Sequence, residues 1–260
     1  SDMAKGFLFF DYDGTLSDNM QPPTKKVIDA LIKAQSAGYK IFICSGRCRA
    51  MMPDLSYIPF DGFVLACGTD VRVNGEQIVE HLCTLDQLEP CCRLALSNDK
   101  LFIAEGERFA VSVGGVSHWP DSPEVDSFEE LAEKYGVTAK INKFSIMAPC
   151  GEEFKKAAES SGFTFIDHIR TGEFVPKGFT KATGIKDVLD HFGASRDAVT
   201  AFGDSMNDYD MLSFAKVGVA MGNAVDELKS AADVVTSSVA DDGVADYINN
   251  VLLISERRKS

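Results

Sequence analysis

Short apolar runs alternate with helical patterns near the start of the chain. The continuous apolar run from Gly6 to Phe10 predicts a buried strand. The amphipathic spacing from Thr24 to Ala37 predicts a helix that ends at Gly38. The stretches "YKIFICSG" and "DGFVLACG" predict a second and a third strand. Short, fully apolar strands separated by helices are typical of a parallel sheet that is covered on both faces.

The pattern changes after the third predicted strand. The stretches "DVRVNGEQIVE", with Asn74-Gly75 at its turn, and "KLFIAEGERFAVSV" predict strand pairs. Helical patterns lie around Leu85 to Leu96 and Val125 to Tyr135. A mixture of hairpins and helices, in place of regular alternation, indicates an inserted α+β domain.

Strands and helices alternate again after "GEFVPKGFTK". The predicted elements are a helix from Lys181 to Phe192, a strand at "DAVTAFGD", a helix from Met206 to Phe214, a strand at "KVGVAMGN", a short helix from Val225, a strand at "DVVT" and a final helix through Leu253. The sequence therefore predicts an α/β protein. We expect a Rossmann-like parallel-sheet core formed by residues 4–75 and 176–260, with the α+β domain inserted at residues 76–175.

Composition and charge exclude several classes of partner. The chain is 45% hydrophobic and 25% charged, which is ordinary for a globular protein. A formal net charge of −13 argues against nucleic acid or an anionic membrane as the main partner. No apolar run approaches the roughly 20 residues of a membrane span. The odd number of cysteines, without a C-x-x-C pair, and the lack of a signal-peptide pattern favour reduced thiols and a cytoplasmic location.

Polar side chains follow three of the predicted parallel strands. Asp11 and Asp13 come directly after the first strand, Ser45 follows the second, and Asp204 opens "DSMNDYD" after "AVTAFG". In an open parallel sheet, ligands bind outside the carboxyl ends of the strands. If these strands are neighbours, the carboxylates of Asp11, Asp13, Asp204 and Asp208 converge in one crevice.

Four carboxylates in a partly desolvated crevice would repel one another strongly unless a cation were bound. The donors are all oxygen atoms, without a nearby His or Cys, and this set suits Mg²⁺ better than zinc. Mg²⁺ held by few carboxylates keeps several waters and usually meets a phosphate group. The sequence therefore predicts a Mg²⁺ site that meets a phosphate group.

The same residues resemble the motifs of a known family. Together, "DYDGT", the Ser45 turn, Lys181 and "GDSMND" resemble the four motifs of the haloacid dehalogenase (HAD) superfamily in order and spacing. The short spacing between the first two motifs and the long stretch before the lysine resemble members with a C2-type cap. The Cof-like sugar-phosphate phosphatases in particular have a lysine stretch similar to "EFVPKGFTKATG". One departure is Cys67-Gly68, where the family often has Asn-Gly, and it puts a substrate contact of that asparagine in question.

The resemblance implies a HAD-like core with an inserted C2-type cap that sets specificity, and a Mg²⁺-dependent phosphomonoester hydrolase. It implies that Asp11 is the nucleophile, which forms an aspartyl-phosphate, and that Asp13 is the general acid and base. The implied metal ligands are Asp11, Asp13 through its backbone carbonyl, Asp204 and Asp208. Asp208 could bind the metal through water or hold the other ligands in place. The implied phosphate-binding residues are Ser45, Gly46, Arg47, Lys181 and Asn207, of which Asn207 could instead act on the metal through water. Sugar phosphates are the expected substrates.

Alternatives remain open for single residues and for the function. Lys177 lies close to Lys181 as another phosphate partner, and Asp208 could simply favour the start of its helix. The same core also supports phosphomutases and dehalogenases. Dehalogenases of the family generally lack the second acid of the D-x-D pair because a halide leaving group needs no proton, so Asp13 argues against them. A non-catalytic phosphometabolite-binding module is disfavoured by the complete set of nucleophile, acid/base and metal ligands.

Overall fold

The computed structural model describes residues 3–147 and 149–259 of the chain. The chain divides into two compact units. The first unit holds the residues up to Ser45, Asp54–Ile78 and the residues from Thr180 onward. The second unit holds Gly46–Pro53 and Val79–Phe179.

The strands and helices follow one another with short connections. The strands are β1 (Gly6–Phe10), β2 (Tyr39–Cys44), β3 (Gly62–Leu65), β4 (Asp70–Val73), β5 (Glu76–Glu80), β6 (Phe102–Gly106), β7 (Ala110–Val113), β8 (Glu124–Val125), β9 (Ile141–Met147), β10 (Phe163–Asp167), β11 (Thr171–Pro176), β12 (Val199–Gly203), β13 (Val217–Ala220) and β14 (Val234–Val235). The α-helices are α1 (Lys25–Ser36), α2 (Leu85–Ser97), α3 (Phe128–Tyr135), α4 (Glu152–Ser160), α5 (Lys181–Phe192), α6 (Tyr209–Phe214), α7 (Asp226–Ala231), α8 (Gly243–Tyr247) and α9 (Leu253–Lys259), with a π-helical segment at Ile248–Leu252.

In the part of the chain that the structure describes, the first unit is built on an eight-stranded sheet in the order β14-β13-β12-β1-β2-β3-β4-β5. The strands from β14 to β3 are parallel, and β4 runs antiparallel to β3. All five residues of β1 are buried, and Phe9 and Phe10 stack on Phe42 and Phe202 with ring centroids 4.8 and 4.7 Å apart. Burial of each such ring contributes about 1.5–3 kcal/mol, so the apolar run fixes β1 at the centre of the sheet.

The second unit is an α+β domain whose described strands form a six-stranded sheet in the order β10-β11-β9-β6-β7-β8. Apolar side chains on one sheet face, including Phe102, Phe144 and Phe174, pack with apolar residues of α2, α3 and α4. Alternate residues of the strands lie on the opposite face because successive side chains of a strand point to opposite sides. That face carries a buried charged cluster of Glu105, Lys143 and Glu173.

The predicted fold class is confirmed: a parallel-sheet α/β core with an inserted α+β domain. The first strand, the helix after Thr24 and the strand at "YKIFIC" lie where the apolar pattern placed them. All seven cysteines are free thiols, as predicted. Within the described residues, no helix combines the length and the apolarity that crossing a bilayer requires.

Three predicted elements differ at their ends for local reasons. The third strand stops at Leu65 because the backbone then turns into the left-handed region at residues 66–68. The helix predicted from Val125 begins instead at Phe128, since Ser127 caps it and Val125 lies in β8, where it pairs with Val113 of β7. The helix predicted from Met206 starts as a 3-10 turn, Met206–Asp208, and becomes α-helical only at Tyr209.

Candidate active site

The centre of the parallel sheet positions Asp11. Its backbone N–H donates to the carbonyl of Phe202 at 3.0 Å, which continues the pairing of β1 with β12 by one residue. The neighbours of β1 are β12 and β2, and their carboxyl ends lead to Asp204 and Ser45. The adjacency of strands that the sequence analysis assumed is therefore present.

Three carboxylates and one ammonium group form the centre of the site. Asp11, Asp204 and Asp208 each place a carboxylate oxygen within 4.8 Å of the other two. The Lys181 ammonium donates to Oδ1 of Asp11 at 2.9 Å and to Oδ1 of Asp208 at 2.6 Å. Lys181 is the first residue of α5 and lies 170 residues from Asp11 in sequence, so the fold alone brings these groups together.

Backbone hydrogen bonds order the loop after β12, which carries two of these acids. Oδ2 of Asp208 accepts the backbone N–H groups of Asp204 at 3.0 Å and of Ser205 at 3.3 Å. Gly14 permits the close packing of the first loop on this one, because a Cβ at residue 14 would lie 1.9 Å from Oδ2 of Asp204. Asp208 thus orders the loop with one oxygen and contacts Lys181 with the other.

The charges in the site are strongly coupled. Burial raises the pKa of Asp11 well above its usual range, and the Asp208 carboxylate raises it further against the opposing effect of Lys181. Burial and the Asp208 carboxylate raise the pKa of Asp204 to about 6. Burial alone would lower the pKa of the Lys181 ammonium, but the carboxylates of Asp11 and Asp208 outweigh it and the pKa rises. Lys181 therefore compensates only part of the negative charge.

This donor set fits a hard divalent cation. Asp11 and Asp208 are buried and Asp204 is half-buried, and all three present oxygen atoms only. Three carboxylates against one ammonium leave excess negative charge in a desolvated place, where a cation stabilises the ionised forms. The residues that could hold such an ion are Asp11, Asp204 and Asp208.

Asp13 and Ser45 lie in the first unit, in the turns after β1 and β2. The Asp13 side chain is exposed, and its backbone forms an isolated bridge with Ser17. Ser45 is buried, and its N–H donates to the carbonyl of Val64 at 2.8 Å. Asn207 is half-buried in the 3-10 turn before α6.

Gly46 and Arg47 belong to the second unit. The Arg47 guanidinium lies over the Trp119 ring at 4.8 Å and donates to the Met51 carbonyl at 3.0 Å. Lys177, the alternative to Lys181, donates to the carbonyl of Glu159 at 2.9 Å, also in the second unit. The lysine that reaches the carboxylates is thus Lys181.

A model of the haloacid dehalogenase-like hydrolase family matches residues 8–248. The chain belongs to this family. The HAD-superfamily resemblance inferred from the four motifs is thereby confirmed, and the protein is a phosphatase of the HAD superfamily. Phosphatases of this superfamily generally use a divalent metal ion, which agrees with the acidic cluster of Asp11, Asp204 and Asp208.

Relatives of known sequence and structure cover almost the whole chain. A Bacillus subtilis (strain 168) protein named "Putative phosphatase YkrA" is 30% identical over 97% of this chain and 100% of its own length. The 5-amino-6-(5-phospho-D-ribitylamino)uracil phosphatase YcsE of the same organism is 29% identical over 94% of each chain. The solved structure of the HAD subclass IIB sugar phosphatase BT4131 has 28% identity and a TM-score of 0.82 over 94% of this chain and 98% of that one.

The sequence analysis missed one residue that stabilises the turn carrying Asp11 and Asp13. Asn223 follows β13, and its side-chain amide donates to the Gly14 carbonyl at 2.9 Å. Its Oδ1 accepts the N–H of Val239 at 2.8 Å, so one side chain ties two loops together. The rule that polar residues gather after parallel strands would have found it, since "KVGVAMGN" ends on this asparagine.

Proposed function

We propose that the protein is a Mg²⁺-dependent phosphomonoester hydrolase that acts on small phosphorylated metabolites, sugar phosphates first among them, through an aspartyl-phosphate on Asp11. The observation that carries this proposal is the buried Asp11 carboxylate, held by Lys181 at 2.9 Å and packed against two further acids. The subclass of BT4131 and the ribityl phosphate in the name of YcsE support the choice of substrate class.

The first half-reaction transfers the phosphoryl group to the enzyme. A carboxylate oxygen of Asp11 forms a bond to phosphorus while the bond from phosphorus to the alcohol oxygen breaks. Asp13 gives its proton to the leaving alkoxide, so the alcohol departs neutral. The exposure of the Asp13 side chain suits a group that must exchange protons with solvent.

The second half-reaction regenerates the enzyme. Water attacks the phosphorus of the aspartyl-phosphate, Asp13 accepts a proton from that water, and the bond from phosphorus to Asp11 breaks. Inorganic phosphate is released, and the net reaction is hydrolysis of one ester bond by one water. Dividing the displacement into two steps lets the same acid serve first as donor and then as acceptor.

The remaining residues position charge. Lys181 and Ser45, with the backbone amides near Gly14 and Gly46, would hold the phosphoryl oxygens, and phosphoryl transfer depends mostly on such positioning and charge stabilisation. Mg²⁺ bound by Asp11, Asp204, Asp208 and the Asp13 carbonyl would neutralise negative charge on the carboxylates and the phosphoryl group. Arg47 is a further candidate cation for the phosphate. Asn207 is a candidate for the phosphate or for water bound to the metal.

The test is phosphate release from a panel of sugar phosphates and from p-nitrophenyl phosphate, with purified protein and Mg²⁺. A hydrolase releases inorganic phosphate from several of these esters. A phosphomutase, the alternative of the same superfamily, would convert a sugar phosphate into its isomer without net phosphate release. No turnover on any ester would contradict the proposal.

Activity is expected to require Mg²⁺ and to be inhibited by Ca²⁺. Ca²⁺ takes six to eight oxygen ligands at about 2.3–2.6 Å, whereas Mg²⁺ takes six at about 2.0–2.1 Å. The larger ion would draw both oxygens of Asp11 into coordination and leave neither in position to attack phosphorus. The measurement is the initial rate after EDTA treatment and after readdition of each ion. Full activity in EDTA would contradict the metal requirement, and activation by Ca²⁺ would contradict the coordination argument.

A further inference from the structure

The turn that follows β3 has an unusual backbone. Ala66, Cys67 and Gly68 have φ values of 47°, 54° and 89°, so three consecutive residues occupy the left-handed region. This conformation is uncommon for residues with a Cβ and ordinary for glycine. Thr69 holds the turn closed, since its hydroxyl donates to the Ala66 carbonyl at 2.8 Å.

This turn contacts two parts of the candidate active site. The Cys67 N–H donates to the carbonyl of Ser45 at 3.3 Å. On its other side, Gly68 lies against the start of α5, where a Cβ at residue 68 would be 2.4 Å from the carbonyl oxygen of Thr180. Thr180 is the N-cap of α5 and directly precedes Lys181. One turn thus contacts Ser45 and the residue that directly precedes Lys181, two of the five predicted phosphate-binding residues being Ser45 and Lys181.

A second glycine makes the same contact from the side of α5. A Cβ at Gly184 would lie 2.3 Å from Cγ1 of Val64 and 3.1 Å from the Cα of Gly68. Glycine inside a helix is less favourable than alanine, so helix propensity does not account for this residue. The two backbones approach this closely only because both positions lack a side chain.

We propose that Gly68 and Gly184 are positioning residues for phosphoryl transfer. Their contact fixes the first turn of α5, and with it the distances of 2.9 and 2.6 Å from the Lys181 ammonium to Asp11 and Asp208. This inference rests on the proposed function. A misplacement of about 1 Å far from the chemistry can reduce a rate by about 10²-fold, so a displaced helix start would be costly to catalysis.

The experiment adds one methyl group at residue 184. We expect Gly184→Ala to lower kcat on p-nitrophenyl phosphate by about 10- to 100-fold, although alanine favours the helix. The matched control is Gly151→Ala, where an added Cβ meets nothing within 4 Å, and its kcat should equal that of the wild type. Thermal unfolding confirms that each variant is folded. A wild-type kcat for Gly184→Ala would overturn the positioning role.

Two further pairs of variants separate positioning from a general structural effect. Removing the obstructing methyl groups in Val64→Ala/Gly184→Ala should restore kcat to within about threefold of Val64→Ala alone, because the two sites interact directly. In a Lys181→Gln background, adding Gly184→Ala should change the residual turnover by less than about threefold, since the shared route through Lys181 is already lost. No recovery in the first pair, or equal losses in both backgrounds, would contradict the inference. A wild-type protein without phosphatase activity would instead overturn the proposed function itself.

Discussion

Replacing Asp11 with asparagine is expected to reduce phosphate release by at least about 10⁴-fold, because loss of a nucleophile leaves only binding and charge stabilisation. The carboxamide is nearly isosteric but a poor nucleophile. The variant should stay folded, since Asp11 is buried at the end of a strand whose packing depends on its phenylalanines. The measurement is single-turnover and steady-state phosphate release with the best substrate of the panel.

The variant Asp13→Asn tests the general acid role of Asp13 separately from the nucleophile role of Asp11. Without a proton donor, alkyl phosphates should lose about 10²- to 10⁴-fold in kcat, while aryl phosphates such as p-nitrophenyl phosphate should lose far less in the first half-reaction. The matched control is Asp18→Asn, an exposed acid of the same loop that should have no effect. Equal losses on alkyl and aryl esters would contradict the acid role, and a fully active Asp11→Asn enzyme would contradict the nucleophile.

Replacing Lys143 with methionine is expected to destabilise the second unit by about 3–5 kcal/mol, the usual cost of breaking a buried ion pair. Lys143 is 2% exposed, and its ammonium lies 3.1 Å from Glu105 and 3.5 Å from Glu173. These glutamates are buried as well, and Glu173 also contacts His168. Loss of the ammonium would leave two carboxylates with uncompensated charge in a desolvated place.

Urea unfolding followed by tryptophan fluorescence measures this loss, because the single tryptophan, Trp119, belongs to the second unit. Adding Glu105→Gln to Lys143→Met should recover part of the stability, since one buried charge is removed with its partner. The control is Lys134→Met, which breaks a surface pair with Glu130 at 2.9 Å in the same unit and should change stability by less than about 0.5 kcal/mol. Equal changes in the free energy of unfolding for the two lysine substitutions would show that the buried cluster contributes no more to stability than a surface ion pair.

The apolar and polar pattern predicted strands and helices most accurately where neighbouring residues alone determine the element. The short apolar run Gly6–Phe10 is typical of a strand that is buried on both faces, and all five of its residues are buried. The acids that follow the run therefore lie at the carboxyl end of that strand. The pattern performed least well in the inserted domain. It delimited none of β9, α4, β10 and β11. The central strand of this group, β9, pairs antiparallel with β6 and β11, both distant in sequence, and one face of the sheet is charged.

The sequence by itself determined the fold class, the family and the candidate residues for catalysis, because these follow from apolar periodicity and from short motifs whose members are close in the chain. Only the tertiary structure decided which groups touch. Strand order brings Lys181 to Asp11 across 170 residues, and the left-handed turn at residues 66–68 meets Gly184 more than 100 positions later. The first contact depends on which strands pair, and the second depends on two backbones that approach closely at glycine residues. A local pattern of apolar and polar residues specifies neither the strand order nor this close approach.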